Sequence, residues 1–171
     1  MTRRTFLGTG LSLLGGGLLG GGLMARHVAA AAPAATAGGF PVMRAEAEWK
    51  QTLSPSQYYI LREHGTEPPG SSPLNGEKRA GTFNCAGCDL PLFSSATKFD
   101  SGTGWPSFWQ PLPEAVGTAT DTSLFMQRVE VHCARCGGHL GHVFEDGPRP
   151  TGLRYCMNGA AMVFTPKAAA S

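Results

Sequence analysis

The chain has 171 residues, which fits one ordinary domain and gives no reason to seek a second. Its 24 glycines, 13 prolines and short apolar runs favour strands and loops over long helices, so the expected class is mainly β. The formal charge of +2 falls to −1 once Arg3, Arg4 and Arg26 of a leader-like N-terminus are set aside. The remaining Lys and Arg are scattered among acidic residues, without the basic stripe of a nucleic-acid binder.

Taken in chain order, Thr2-Arg3-Arg4-Thr5-Phe6-Leu7 places paired arginines before an apolar tract from Gly10 to Met24, and small residues ending at Ala35-Thr36-Ala37 follow. These are the three regions of an export signal. The tract is broken by six glycines between Gly15 and Gly22 and is shorter than the ~20 apolar residues that span a bilayer. The arginine pair, Phe6-Leu7 and modest hydrophobicity resemble a twin-arginine signal peptide, with Gly8 in place of the usual lysine. This implies a leader over 1–37, cleavage near Ala37, passage through the twin-arginine translocase and a periplasmic destination. Residues 38–45 then read as a linker, with the domain at 46–167 and a disordered tail at 168–171.

Leu53-Ser54-Pro55-Ser56-Gln57-Tyr58 carries several helix-start signals: Ser54 as cap, Pro55 at the first helical position, Gln57 closing a capping box and Leu53 stapling to Tyr58. Gly65 is expected to stop this helix after His64. The run from Glu67 to Pro73 is too rich in Pro, Gly and Ser for any regular element. Beyond Gly81 the pattern is that of strands, clearest at Gln127 to Cys133, where Val129, Val131 and Cys133 alternate with Arg128, Glu130 and His132. Ala160 to Phe164 reads as a final strand.

Cys85-Ala86-Gly87-Cys88 and Cys133-Ala134-Arg135-Cys136 each follow a strand-like run, with a leucine soon after each, Leu90 or Leu140. This is a weak internal repeat of two turns. Two C-x-x-C turns supply a closed tetrahedral site for one structural zinc ion, with no open position to activate water. The alternative is a pair of disulfides, which an exported protein permits.

Cys156, in Arg154-Tyr155-Cys156-Met157-Asn158, is left over. It is either a small buried hydrophobe or a nucleophile, and Arg154, on the same face of an extended segment, favours the thiolate. His139 and His142 are spare if the four cysteines hold the metal, and either serves as acid or base or packs as a core histidine. Trp105, in the run from Gly102 to Trp109, either lines an apolar pocket or packs in the core.

Five segments together resemble the methionine-R-sulfoxide reductase B family from Trp49 to Phe164: Arg62-Glu63-His64-Gly65-Thr66-Glu67, Lys98-Phe99-Asp100-Ser101-Gly102, Gly104-Trp105-Pro106-Ser107-Phe108, His139-Leu140-Gly141-His142-Val143-Phe144 and Arg154-Tyr155-Cys156-Met157-Asn158. The resemblance implies small antiparallel sheets in a compact barrel-like core, short N-terminal helices, and zinc on Cys85, Cys88, Cys133 and Cys136. It implies Cys156 as nucleophile, Trp105 and Phe108 as substrate-binding residues with Trp105 holding the substrate methyl, and His139, His142 and Asn158 organising the sulfoxide oxygen and its proton. Arg154 and Asp146 support the site. The implied reaction is reduction of the R epimer, in proteins or peptides, leaving a sulfenic acid on Cys156.

Thr103 stands where many family members carry a resolving cysteine, so recycling falls to an external thiol, thioredoxin-like or of low molecular weight. Two rival readings remain from the residues alone. One is a zinc-ribbon binding module with an inert Cys156, and the other is a cysteine hydrolase pairing Cys156 with His139 or His142.

Overall fold

A computed structural model describes residues 39–123 and 126–168, so the expected leader over 1–37, residues 124–125 and the last three residues lie outside it. Helix α1 spans Glu46–Thr52 and α2 spans Pro55–Glu63. The capping box of α2 forms as the sequence predicts: Gln57 N–H donates to Ser54 Oγ at 3.3 Å, and Ser54 N–H donates to Gln57 Oε1 at 2.9 Å. The left-handed residue ending α2 is His64, at φ 56°, one position earlier than expected. Gly65 is required for a different reason: a Cβ there would lie 2.2 Å from the Tyr59 ring.

Among the described residues nine strands follow: β1 Gly81–Cys85, β2 Pro91–Ser94, β3 Lys98–Phe99, β4 Ser107–Phe108, β5 Val116–Asp121, β6 Arg128–Cys133, β7 His139–Phe144, β8 Arg154–Met157 and β9 Met162–Pro166. They form a three-stranded sheet, β2-β1-β9, and a six-stranded sheet, β3-β4-β8-β7-β6-β5, with every pairing antiparallel. The fold is thus mainly β with two short helices, but the sheets stay open and do not close into a barrel. The expected last strand begins two residues late, because Gly159–Ala161 is a 3-10 turn.

Phe83, Leu92, Phe93, Phe108, Leu140 and Met157 are fully buried between these layers, each contributing roughly 1.5–3 kcal/mol of burial. Phe93 stacks on Phe108 at 4.4 Å between ring centroids, and Phe83 meets Phe108 edge-on at 4.9 Å. Leu61 of α2 closes the core from the helical side. On β6 the expected alternation holds only in part: Val131 and Cys133 are buried, whereas Val129 is exposed and His132 is buried.

The C-x-x-C repeat is real at the level of backbone geometry. Asp89 N–H donates to Cys85 O at 2.8 Å, and Gly137 N–H donates to Cys133 O at 2.9 Å. Cys85 N–H in turn reaches Leu90 O, and Cys133 N–H reaches Gly138 O. The residue after each pair is left-handed, Asp89 at φ 58° and Gly137 at φ 67°. Residues 39–45, read as a linker, run against the second turn: Val42 N–H donates to Arg135 O at 2.9 Å, and Phe40 packs edge-on to His132.

Candidate metal centre and active site

Cys85 and Cys88 sit at the end of β1, and Cys133 and Cys136 sit between β6 and β7, so the two turns bring sulfurs from both sheets to one point. The four Sγ atoms all lie within 4.8 Å of one another, with Cys85–Cys136 at 3.7 Å and Cys88–Cys133 at 3.5 Å. A zinc ion with sulfurs at ~2.3 Å has tetrahedral edges of about 3.8 Å, so the cage fits one ion. All five cysteines are free, and the sulfur pairs at 3.7 and 3.5 Å join one turn to the other. That disagrees with disulfides within each turn.

Mutual hydrogen bonding drives the Cys85 thiol far up, with burial adding to the shift, and the Cys88 thiol far down. Four crowded sulfurs cannot all ionise without a cation among them. Two guanidiniums attend the site, with Arg62 donating to Cys136 O at 3.0 Å and Arg135 to Cys88 O at 3.1 Å. Four thiolates carry twice the charge of a divalent ion, so cations beside the turns offset the excess.

Cys156 lies on β8, flanked in register by Ser107 of β4 and His142 of β7. Close approach on the β7 side is possible because residue 141 is glycine: a Cβ there would lie 2.1 Å from Cys156 O. The half-buried thiol opens into a cavity of about 130 Å³ that Trp105, His142, Asn158 and Thr66 also line. Thr103 Oγ1 is 3.9 Å from its Sγ, and Ser101 Oγ bonds both Thr103 Oγ1 and Ser107 Oγ at 2.8 Å. Burial pushes the Cys156 thiol up from its ordinary value. The Thr103 hydroxyl and the Arg154 guanidinium pull the other way without prevailing.

The remaining expected residues divide. Arg154 is buried beside Cys156, grips Asp146 through two bonds of 2.8 and 2.9 Å, and stacks over Phe144 at 4.4 Å. Asp146 itself is largely exposed. His139 adjoins His142 edge-on, with ring centroids 5.4 Å apart, in a wider open groove beside the cavity. Asn158 is held at both ends of its amide, accepting from Glu67 N–H at 3.0 Å and donating to Leu140 O at 3.1 Å. Phe108 departs from the expectation. Adjacent strand residues face opposite ways, so Ser107 turns toward Cys156 while Phe108 enters the aromatic core and does not line the cavity.

Four residues missed in the sequence fix the site. His139 Nδ1 donates to Glu130 Oε1 at 2.7 Å, and His142 Nε2 donates to Asp121 Oδ2 at 2.7 Å, because an ionised carboxylate can only accept. Arg128 donates to the same Asp121 oxygen at 2.7 Å. Burial keeps the His142 imidazole below its usual value against the pull of Asp121. Glu67 accepts from Gly159 N–H and from Ala160 N–H, while its own carbonyl accepts from Trp105 Nε1 at 3.0 Å. The charged face of the 127–133 strand was a signal for Arg128 and Glu130. Nothing local marked Asp121, and Glu67 closed the family-like run from Arg62 without a role attached to it.

A family profile described as the SelR domain matches residues 53–166. The chain is 56% identical over 126 residues to the peptide methionine sulfoxide reductase MsrB of Agrobacterium fabrum, covering 73% of this chain and 93% of that protein. It is 55% identical over 124 residues to MsrB of Methanosarcina barkeri, covering 72% and 87%. It is 56% identical over 121 residues to MsrB of Pseudomonas putida, covering 70% and 91%.

The opposing influences on Cys156 give an expected titration. In the zinc-loaded protein without substrate, the pH midpoint for alkylation of Cys156 by iodoacetamide lies above that of an ordinary cysteine. It moves higher still in Arg154→Met, because a neighbouring cation favours the thiolate. Mass spectrometry of the labelled peptide reads both midpoints, and a midpoint unmoved or lowered by Arg154→Met contradicts the electrostatic account.

Proposed function

The chain belongs to the MsrB family of SelR-domain peptide methionine sulfoxide reductases, and on that premise we propose that Cys156 is its nucleophile, with the neighbouring side chains acting on the sulfoxide oxygen and methyl group. The enzyme reduces the R epimer of methionine sulfoxide to methionine. The observation that carries the residue assignment is that the fifth cysteine, outside the metal cage, opens into a small cavity walled by Trp105, His142 and Asn158.

The Cys156 thiolate bonds to the sulfoxide sulfur while the oxygen takes up a proton; the oxygen then passes from the substrate sulfur to the cysteine sulfur as the transient S–S bond breaks, which releases methionine. The cysteine ends as sulfenic acid, oxidised by two electrons, and the substrate sulfur is reduced by the same two. His142, carried by Asp121, and His139, carried by Glu130, supply and orient the proton. The Trp105 indole, fixed through Nε1, receives the methyl group, since sulfur and methyl contacts with an aromatic ring contribute ~0.3–1.5 kcal/mol. Arg154, aligned by Asp146, favours the attacking thiolate. Zinc, when bound, holds the fold and takes no part in these steps.

The hydrolase reading fares worse, because the bonds that hold both imidazoles run to carboxylates, and the hydrogen-bond neighbour of Cys156 Sγ is a hydroxyl. A pure zinc-ribbon module leaves the cavity at Cys156 without a use.

We further propose that residues 1–37 are a twin-arginine leader that exports the folded, zinc-loaded enzyme to the periplasm, with 38–45 as linker, 46–167 as the reductase domain and 168–171 as a tail. The support is Arg3-Arg4 before Phe6-Leu7 and the glycine-broken apolar tract. No helix among the described residues is long and apolar enough to cross a membrane. The partners on this reading are oxidised proteins or peptides, the translocase, and an external thiol, thioredoxin-like or small.

A racemic methionine-sulfoxide peptide incubated with the enzyme and dithiothreitol is expected to lose only its R epimer, as read by chiral chromatography. Cys156→Ser abolishes this turnover while keeping zinc and fold; a reductase still working in that variant refutes the mechanism.

Thr103→Cys places a thiol at a position now 3.9 Å from Cys156 Sγ, within reach of a disulfide after modest adjustment. One equivalent of sulfoxide is expected to convert both thiols to a disulfide, and thioredoxin then recycles the variant faster than the parent. Thiol counts unchanged except at Cys156 overturn this expectation.

Replacing Arg3 and Arg4 by lysines is expected to strand the precursor in the cytoplasm. Normal export of that variant, followed by cell fractionation, rules out the twin-arginine route.

A further inference from the structure

Beside the catalytic cavity, Glu130 serves a second imidazole that the reaction does not use. His64 Nδ1 lies 3.1 Å from Glu130 Oε1, the same oxygen that His139 Nδ1 reaches at 2.7 Å. The two imidazole rings lie 5.1 Å apart at a tilt of 36°, and the three potential ligand atoms all fall within 4.8 Å of one another. A divalent ion with nitrogen and oxygen ligands at ~2.0–2.2 Å has neighbouring ligand atoms about 2.8–3.6 Å apart, which takes in the 3.1 Å between His64 Nδ1 and Glu130 Oε1 and lies just above the 2.7 Å at His139.

His139 is 2% exposed and its Nε2 has no hydrogen-bond partner, so the Nδ1 bond to Glu130 is the one polar attachment of a buried ring. His64 by contrast is exposed, at the rim of the groove through which an ion enters. That groove is lined by the carboxylates of Glu63, Asp121 and Glu130 against a single guanidinium, Arg128, which Asp121 already neutralises. The local charge therefore favours a cation. The left-handed backbone of His64 that ends α2 is what turns this residue out beside β6 and β7.

We propose that His64, Glu130 and His139 form a second, reversible metal site for a borderline divalent transition ion of the zinc or nickel kind, and that its occupation inhibits the reductase. Two imidazoles and one carboxylate match ions of this class better than calcium or magnesium, which take oxygen ligands. Binding displaces the proton that His139 Nδ1 gives to Glu130, so His139 is tied to an ion when it is needed to handle the proton of the leaving oxygen. The added positive charge also opposes protonation of His142 next to it. The inhibitory consequence rests on the proposed role of His139, whereas the site itself rests on geometry alone.

Nickel is the probe, and the experiment has two arms. In the first, zinc-loaded Cys156→Ser protein, which removes the competing thiol, is titrated calorimetrically with Ni2+ while its zinc content is followed. One equivalent is expected to bind without release of zinc, and His64→Asn, which tolerates the left-handed backbone, weakens binding at least about tenfold. Absence of binding, equal affinity in His64→Asn, or nickel found in place of zinc each overturns the site. In the second arm, methionine formed in a single turnover is measured without any thiol that chelates metal. His64→Asn is expected to match the parent without nickel, and to keep its rate at a Ni2+ concentration that slows the parent at least fivefold. Equal slowing of both overturns the inhibitory site. If the parent forms no methionine at all, the catalytic reading has failed, and the calorimetric arm still decides whether the ion binds.

Discussion

Everything else in the fold depends on four sulfurs meeting at one point. The turn carrying Cys85 and Cys88 follows β1 of the three-stranded sheet and the turn carrying Cys133 and Cys136 follows β6 of the six-stranded sheet, so an ion between them ties the two layers through turns of matching geometry. Structural zinc in small cysteine sites contributes on the order of 10 kcal/mol to folding, comparable with the whole stability of a domain. That contribution relieves the core of the task. The sheets remain open, the strands are two to six residues long, and the layers between them are filled by a few aromatic rings rather than by long helices.

Once β6 and β7 are fixed at their zinc end, the position of the reactive sulfur follows. β8 hydrogen-bonds between β4 and β7, inside the larger sheet, which half-buries Cys156 and raises the cost of its thiolate. Arg154 and the hydroxyls of Thr103 and Ser107 lower that cost without cancelling it. The two imidazoles come from β7 alone, three residues apart, and each is gripped by a carboxylate from β5 or β6. The three adjacent strands β5, β6 and β7 therefore supply both the rings proposed to handle the proton and the groups that orient them.

Legibility in the sequence followed the range of the interaction. The capping box at Ser54 and Gln57, the two C-x-x-C turns and the leftover Cys156 are written within a few residues and were read directly. The spacing of His139 and His142 was equally plain, but their partners Asp121 and Glu130 lie on other strands, where only the pairing register brings them close. Phe108 was misplaced because a family motif runs through a loop into a strand: Trp105 precedes Pro106, whereas Phe108 obeys the alternation of β4 and points inward. The barrel-like outline failed for a similar reason, since strand content is local and sheet closure is not.

Glu67 shows what such long-range contacts achieve. Its carboxylate holds the amides of Gly159 and Ala160, its N–H holds the Asn158 side chain, and its carbonyl holds the Trp105 indole. Two walls of the cavity, more than fifty residues apart in the chain, thus hang from one residue. Telling a chiral sulfur from its mirror image requires three fixed reference points, one each for the attacking atom, the methyl group and the oxygen. On the proposed roles of Cys156, Trp105 and Asn158, the first is set by the sheet and the other two by Glu67, so handedness becomes a property of the scaffold, and the substrate meets a template that does not need to adjust to it.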